Sequence, residues 1–131
     1  MMNILKNLLY TIDSNEASHD NTIFHIALIK DSWIYRAHFP GNPVTPGVCI
    51  VQTALELLEQ IINCELEITE VKDIRFLHIL SPVACPKVDF VFTTIINTGG
   101  DISTIVNVMK NNTTFAQLSF TARNIPNKET K

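Results

Sequence analysis

Between Val48 and Ile62 apolar side chains recur around most of a helical circumference, and the polar ones fall on one narrow stripe: Gln52, Glu56, Glu59, Gln60 and, just beyond, Asn63. That pattern predicts a buried helix with a single polar strip left for solvent or for a site. Downstream the period changes. "ELEITEVKDIRFLHIL", "KVDFVFTTIIN", "DISTIVNVMKN" and "TTFAQLSFTARNI" are rich in β-branched and aromatic residues, and turn signals at Thr98-Gly99-Gly100 and Asn111-Asn112 separate the last three. Strands joined by such short turns predict an antiparallel meander. Upstream, "NTIFHIALIKD" and "SWIYRAHF" read as a hairpin turning at Asp31-Ser32, and Ile4, Leu5, Leu8 and Leu9 have the spacing of one short amphipathic helix. Pro40, Gly41, Pro43, Pro46 and Gly47 forbid a regular element until about Val48. One buried helix against an antiparallel sheet is an α+β domain, taken here to span residues 1–131.

Composition narrows the function classes. A chain of 131 residues with 46% apolar content buries a core without staples. No segment has the length of a membrane span, and the N-terminus has neither a sustained apolar core nor a small-residue cleavage site, which argues against a secretory signal. A net charge of −3 without a basic stripe argues against nucleic acid as partner. Cys49, Cys64 and Cys85 are odd in number and widely spaced, so neither a disulfide framework nor a zinc site is indicated; a reducing cytoplasm is expected, with no metal and no cofactor.

The chemistry is concentrated where the loop meets the helix. "HFPGNPVTPGV", His38 to Val48, followed by an apolar helix with a polar residue early on, resembles the 3-hydroxyacyl-acyl-carrier-protein dehydratases of the hotdog fold, whose signature reads roughly HFPGxPVMPGVLxVExLAQ. "VKDIRFLHILSPVACPKV" resembles their strand-and-loop segment, and the terminal meander fits their last strands. The resemblance implies a long central helix wrapped by a curved antiparallel sheet. It also implies subunits paired edge to edge, with each active site at the interface between a histidine of one subunit and an acid on the helix of the other. Its implied substrate is a 3-hydroxyacyl chain carried as acyl-phosphopantetheine on acyl carrier protein, in fatty-acid or a more specialised lipid or polyene synthesis.

Residue by residue, the resemblance makes His38 the base that takes the proton beside the thioester carbonyl, a task suited to an imidazole near neutral pH. Gly47 is the expected donor of a backbone N–H to the thioester oxygen, with Val48 and Phe39 lining the substrate site. The family's carboxylate falls fourteen residues after the histidine, where this chain has Gln52. A glutamine hydrogen-bonds a hydroxyl but gives it no proton. Glu56 lies one turn further along the same face, where the family usually carries glutamine; it is placed to act through a water, to hold Gln52, or simply to belong to the polar strip with Glu59 and Gln60. Cys49 reads as a packing residue rather than a nucleophile, and His19, His25 and His78 as ordinary loop or strand histidines. Arg36 and Lys87 read as solvated charges, with a carrier protein as their other possible contact. Two further readings stand beside the dehydratase. One is a hotdog thioesterase. The other is a non-catalytic acyl-binding subunit that pairs with an active homologue in a heterodimer. Across these readings the chain is expected to assemble as a homodimer or a heterodimer with a homologue, or further into a higher oligomer.

Overall fold

The structure, a computed structural model, describes residues 4–38 and 41–125. Its elements are β1 (Tyr10–Ala17), β2 (Thr22–Leu28), α1 (Trp33–Ala37), α2 (Gly47–Ile62), β3 (Leu66–Phe76), β4 (Lys87–Thr98), β5 (Asp101–Lys110) and β6 (Thr113–Asn124). The strands form one sheet in the order β1-β2-β4-β5-β6-β3, and every neighbouring pair is antiparallel. The inward residues of the central strands, among them Val88, Phe90, Val106, Val108, Leu118 and Phe120, are buried together with Ile50, Ala54, Leu57 and Leu58 of α2. A long helix wrapped by a curved antiparallel sheet is the hotdog arrangement that the resemblance implies. Among the described residues no helix is long and apolar enough to cross a membrane.

The meander, the long helix and the strand within "NTIFHIALIKD", which is β2, lie where the sequence pattern puts them; the segments on either side of β2 do not. The proposed N-terminal helix is instead a turn followed by β1. Asn7 takes a left-handed conformation (φ 67°) and donates its N–H to the Tyr10 carbonyl, which stops helical winding after a single turn. The expected second arm of a hairpin, "SWIYRAHF", is the short helix α1. Ser32 caps it by accepting the Ile34 N–H on its hydroxyl, and Ile34 and Tyr35 turn inward into the core. Strand β2 pairs with β1 and β4 instead.

The polar stripe of α2 is also not a solvent strip. Glu56 and Glu59 are buried, Glu56 completely. The helix closes on Asn63, left-handed at φ 64°, whose N–H goes back to the Glu59 carbonyl.

Candidate active site

His38 caps the end of α1. It is exposed, its backbone is extended, and its N–H is held by the Ile34 carbonyl. Phe39, expected beside the substrate, lies outside the described residues. The loop returns to the core at Thr45. Its N–H donates to the Leu80 carbonyl at 2.8 Å, and its hydroxyl hydrogen-bonds the Tyr35 hydroxyl at 2.9 Å. Both Thr45 and Tyr35 are buried, so one residue ties together α1, the loop before α2 and the segment after β3. Burial raises the Tyr35 phenol above its ordinary pKa, which keeps it neutral for that role.

Two residues later α2 begins. Its cap is Pro46, and no side chain bonds the helix end. The first N–H groups of a helix have no partner within it and carry partial positive charge, so the Gly47 end suits developing negative charge on an oxygen. A Cβ on Gly47 would lie 2.7 and 2.8 Å from the ring of Phe76, closer than packed atoms allow. Glycine here lets an aromatic ring lie against the helix start. Beside it opens a cleft of about 390 Å³, lined by Thr45, Gly47, Ile50, Phe76, His78 and Ile79 among others. His78 is the titratable side chain in that lining. Sequence reasoning passed over it because a histidine in a loop carries no pattern; only the fold brings its loop beside Gly47. Val48, one residue into the helix, is 76% exposed.

Gln52 is half-buried and donates from Nε2 to Glu56 Oε2 at 2.9 Å. Glu56 has three further donors: the N–H of Leu5, the N–H of Lys6 and the Tyr10 hydroxyl, at 2.9 to 3.2 Å. Burial, and after it the Glu56 carboxylate, push the Tyr10 phenol far above its usual range, so Tyr10 donates and does not ionise. All four partners of Glu56 are donors. Among the described residues no hydrogen bond joins His38 to Gln52 or to Glu56 within the chain.

The remaining candidates are placed as follows. Cys49 is half-buried, and burial raises its thiol pKa, against reactivity. Lys87 is engaged with Asp13 at 2.7 Å on the surface, and Arg36 is exposed in the last turn of α1. His25 is held between Asp89 and Glu16, across the sheet from α2.

The comparisons bear on this geometry. A family model described as ApeI-like, ApeI dehydratase, matches residues 14–98, a span that contains His38, Gly47, Gln52 and Glu56. No curated protein sequence matches the chain significantly. Several solved structures share the hotdog fold. The dehydratase heterocomplex ApeI:P from Xenorhabdus doucetiae aligns at TM-score 0.62 and 14% identity, over 86% of this chain and 96% of that one. A mutant of a thioesterase enzyme from Staphylococcus aureus aligns at TM-score 0.60 and 11% identity, over 95% and 100%. A conserved protein from Pseudomonas aeruginosa aligns at TM-score 0.63 and 10% identity, over 95% of each chain.

Proposed function

The chain belongs to the ApeI-like dehydratase family, and from that premise we propose that it eliminates water from 3-hydroxyacyl thioesters presented on acyl carrier protein, with two subunits needed to complete each site. The observation that carries this reading is the uncapped start of α2 at Gly47, opening on a largely apolar cleft at the end of the loop that bears His38.

In this mechanism the Gly47 N–H receives the thioester oxygen, which makes the proton on the adjacent carbon acidic enough for neutral His38 to remove. As the enolate collapses, the 3-hydroxyl leaves. The proton taken by His38 is returned to that hydroxyl, so the products are the enoyl thioester and water. Gln52 supports the departing group rather than protonating it. With Nε2 committed to Glu56, its Oε1 and second N–H remain for the substrate hydroxyl. Of the roles open to Glu56, the proposal takes that of a positioning residue. A carboxyl ringed by four donors and buried under the N-terminal segment is built to hold Gln52 and that segment in place.

A second reading has its own support: the chain is a partner subunit that binds acyl thioester but relies on a homologue's acid. Gln52 stands where the family carries a carboxylate, and one structure of the same fold is a dehydratase heterocomplex. Turnover of a 3-hydroxyacyl thioester on carrier protein separates the two. The dehydratase reading expects activity from the chain alone, cut by roughly 10²-fold or more in His38→Ala. Inert wild type, with activity appearing in Gln52→Glu, would instead establish the partner subunit.

A further inference from the structure

Thr45 stands where the dehydratase signature carries methionine: the loop reads HFPGNPVTPG here, against HFPGxPVMPG there. A methionine at that place fills space and adapts its shape. A threonine is stiff at its first side-chain torsion and brings one directed hydroxyl. Burying that hydroxyl costs free energy unless a partner is buried with it. The partner is present. Tyr35 Oη lies 2.9 Å from Thr45 Oγ1, and the two residues are only 2% and 5% exposed. The main chain of the threonine is pinned as well, through its N–H on the Leu80 carbonyl at 2.8 Å.

Both ends of the loop are thereby fixed at one buried point. Tyr35 lies in α1 three residues before His38, whose own N–H is held by the Ile34 carbonyl at 3.0 Å. Thr45 lies two residues before Gly47, and Leu80 lines the cleft together with both. In between, the chain turns through Gly41 at φ 85°. Among the described residues no other hydrogen bond joins α1 to this loop. A displacement of about 1 Å between reacting groups costs on the order of 10²-fold in rate, so what registers the loop matters as much as what the loop carries.

We infer that Tyr35 and Thr45 are positioning residues: their buried hydroxyl pair closes the loop between α1 and α2 and sets His38 in register with the Gly47 N–H. The inference rests on the proposed function where it makes His38 the base and Gly47 the oxyanion donor; the closure of the loop does not depend on that reading. The threonine is a feature of this chain rather than of the signature, and it is matched by a tyrosine that only the fold brings to it. A pair that served merely to satisfy two buried hydroxyls would behave differently. Removing both at once then leaves nothing unpaired and nothing lost.

The test uses that difference. Tyr35→Phe, Thr45→Val, the double variant Tyr35→Phe/Thr45→Val and Thr45→Ser are compared with wild type in three ways. These are denaturant unfolding, turnover of a 3-hydroxyacyl thioester on acyl carrier protein, and amide hydrogen exchange at positions 38 and 45. Tyr35→Phe and Thr45→Val each strand one buried hydroxyl and should unfold at lower denaturant, and the double variant should recover most of the wild-type midpoint. Turnover should not recover with it. In the double variant kcat is expected at least about tenfold below wild type with KM within about threefold, while Thr45→Ser keeps the bond and most of kcat. The two amides should exchange at least about tenfold faster in the double variant than in wild type, a local opening without global loss. A double variant that regains turnover along with stability overturns the inference, and so do amides that exchange as slowly as in wild type. If wild type does not turn over, the same series is read in the Gln52→Glu background. If that is silent as well, the dehydratase reading falls, and the exchange rates alone decide whether the pair closes the loop.

Discussion

At the C-terminal end of α2 the polar groups are closed off one by one. Glu56 takes four donors, Glu59 takes the N–H of Leu66 at 2.8 Å, and the Asn63 N–H closes the last turn. Burial raises the Glu59 pKa, and the Leu66 N–H partly opposes that rise. The exception is Gln60 Nε2, buried without a partner among the described residues. At the N-terminal end of the same helix the side-chain cap is missing, and the Pro46 carbonyl takes only the N–H groups of Cys49 and Ile50. The cap is a proline, no side chain answers the first N–H groups, Val48 stands in solvent and a cleft opens beside Gly47. One end anchors the N-terminal segment and the start of β3; the other begins without a side-chain cap beside a cleft. The contrast explains how a carboxylate can sit one turn from a candidate site and still belong to the scaffold.

The largest expected effect breaks the anchored end. Glu56→Ala removes the common acceptor of Leu5, Lys6 and Tyr10, leaving buried donors that cost about 1–3 kcal/mol each when orphaned. Denaturant unfolding should show a loss of at least about 3 kcal/mol, on the scale of an uncompensated buried polar cluster. Gln52→Ala gives up one half-buried hydrogen bond and should cost roughly 1 kcal/mol. If the two losses turn out equal, Glu56 is not the anchor described here.

The open end should respond the other way, through activity rather than stability. Gly47→Ala sets a methyl against the rim of the Phe76 ring, but that ring is half exposed and can swing aside. Stability should therefore fall by no more than about 1 kcal/mol, at the mild end of overpacking. Turnover should drop at least about tenfold, because the ring and the helix start no longer shape the same cleft. Gly47→Ala/Phe76→Ala relieves the contact, and recovery of activity there assigns the loss to the clash. If Gly47→Ala unfolds the protein, the two ends of α2 are not independent.

How much of this was legible beforehand follows from the range of the forces involved. The meander and α2 are encoded by local period and turn chemistry, so Gly99-Gly100 and Asn111-Asn112 punctuate the chain where β5 begins and ends. The segments on either side of β2 misled because their structure is set from a distance. Leu5 and Lys6 follow Glu56, fifty residues on, rather than their own helical spacing. Strand β1 has a polar sequence because much of it is exposed at the sheet edge, so no alternation announced it. In "SWIYRAHF" the capping hydroxyl of Ser32 and two inward side chains overrode strand-like composition. At the site, the loop motif and the Gln52–Glu56 pair were readable because spacing of four on a helix is a local fact. The cleft's His78, the Phe76 ring on Gly47 and the Thr45 tie to Leu80 were not, because each joins segments that only the fold brings together.

The smallest expected effect provides a reference outside α2, where the same residue types meet water. His25 Nδ1 lies 2.7 Å from Asp89 and Nε2 lies 2.9 Å from Glu16, joining β1, β2 and β4 across the outer surface. Hydrogen bonds to Glu16 and then Asp89 raise the imidazole pKa above its ordinary value, against a lesser opposing effect of burial. A raised folded-state pKa means the folded protein holds this proton more tightly than the unfolded chain. The contribution is therefore fully present below the ordinary imidazole value of about 6.5 and is lost as pH rises through the raised one. Exposed pairs of this kind are worth at most about 1 kcal/mol and weaken with salt. Comparing wild type with His25→Gln across that window should show a stability difference that shrinks as pH rises and shrinks again in high salt. Glu56→Ala, whose loss comes from uncharged donors left buried, should keep most of its deficit in high salt. A salt-insensitive His25 difference, or a Glu56 deficit that salt removes, would erase the distinction between a carboxylate built into the core and carboxylates that pair in water.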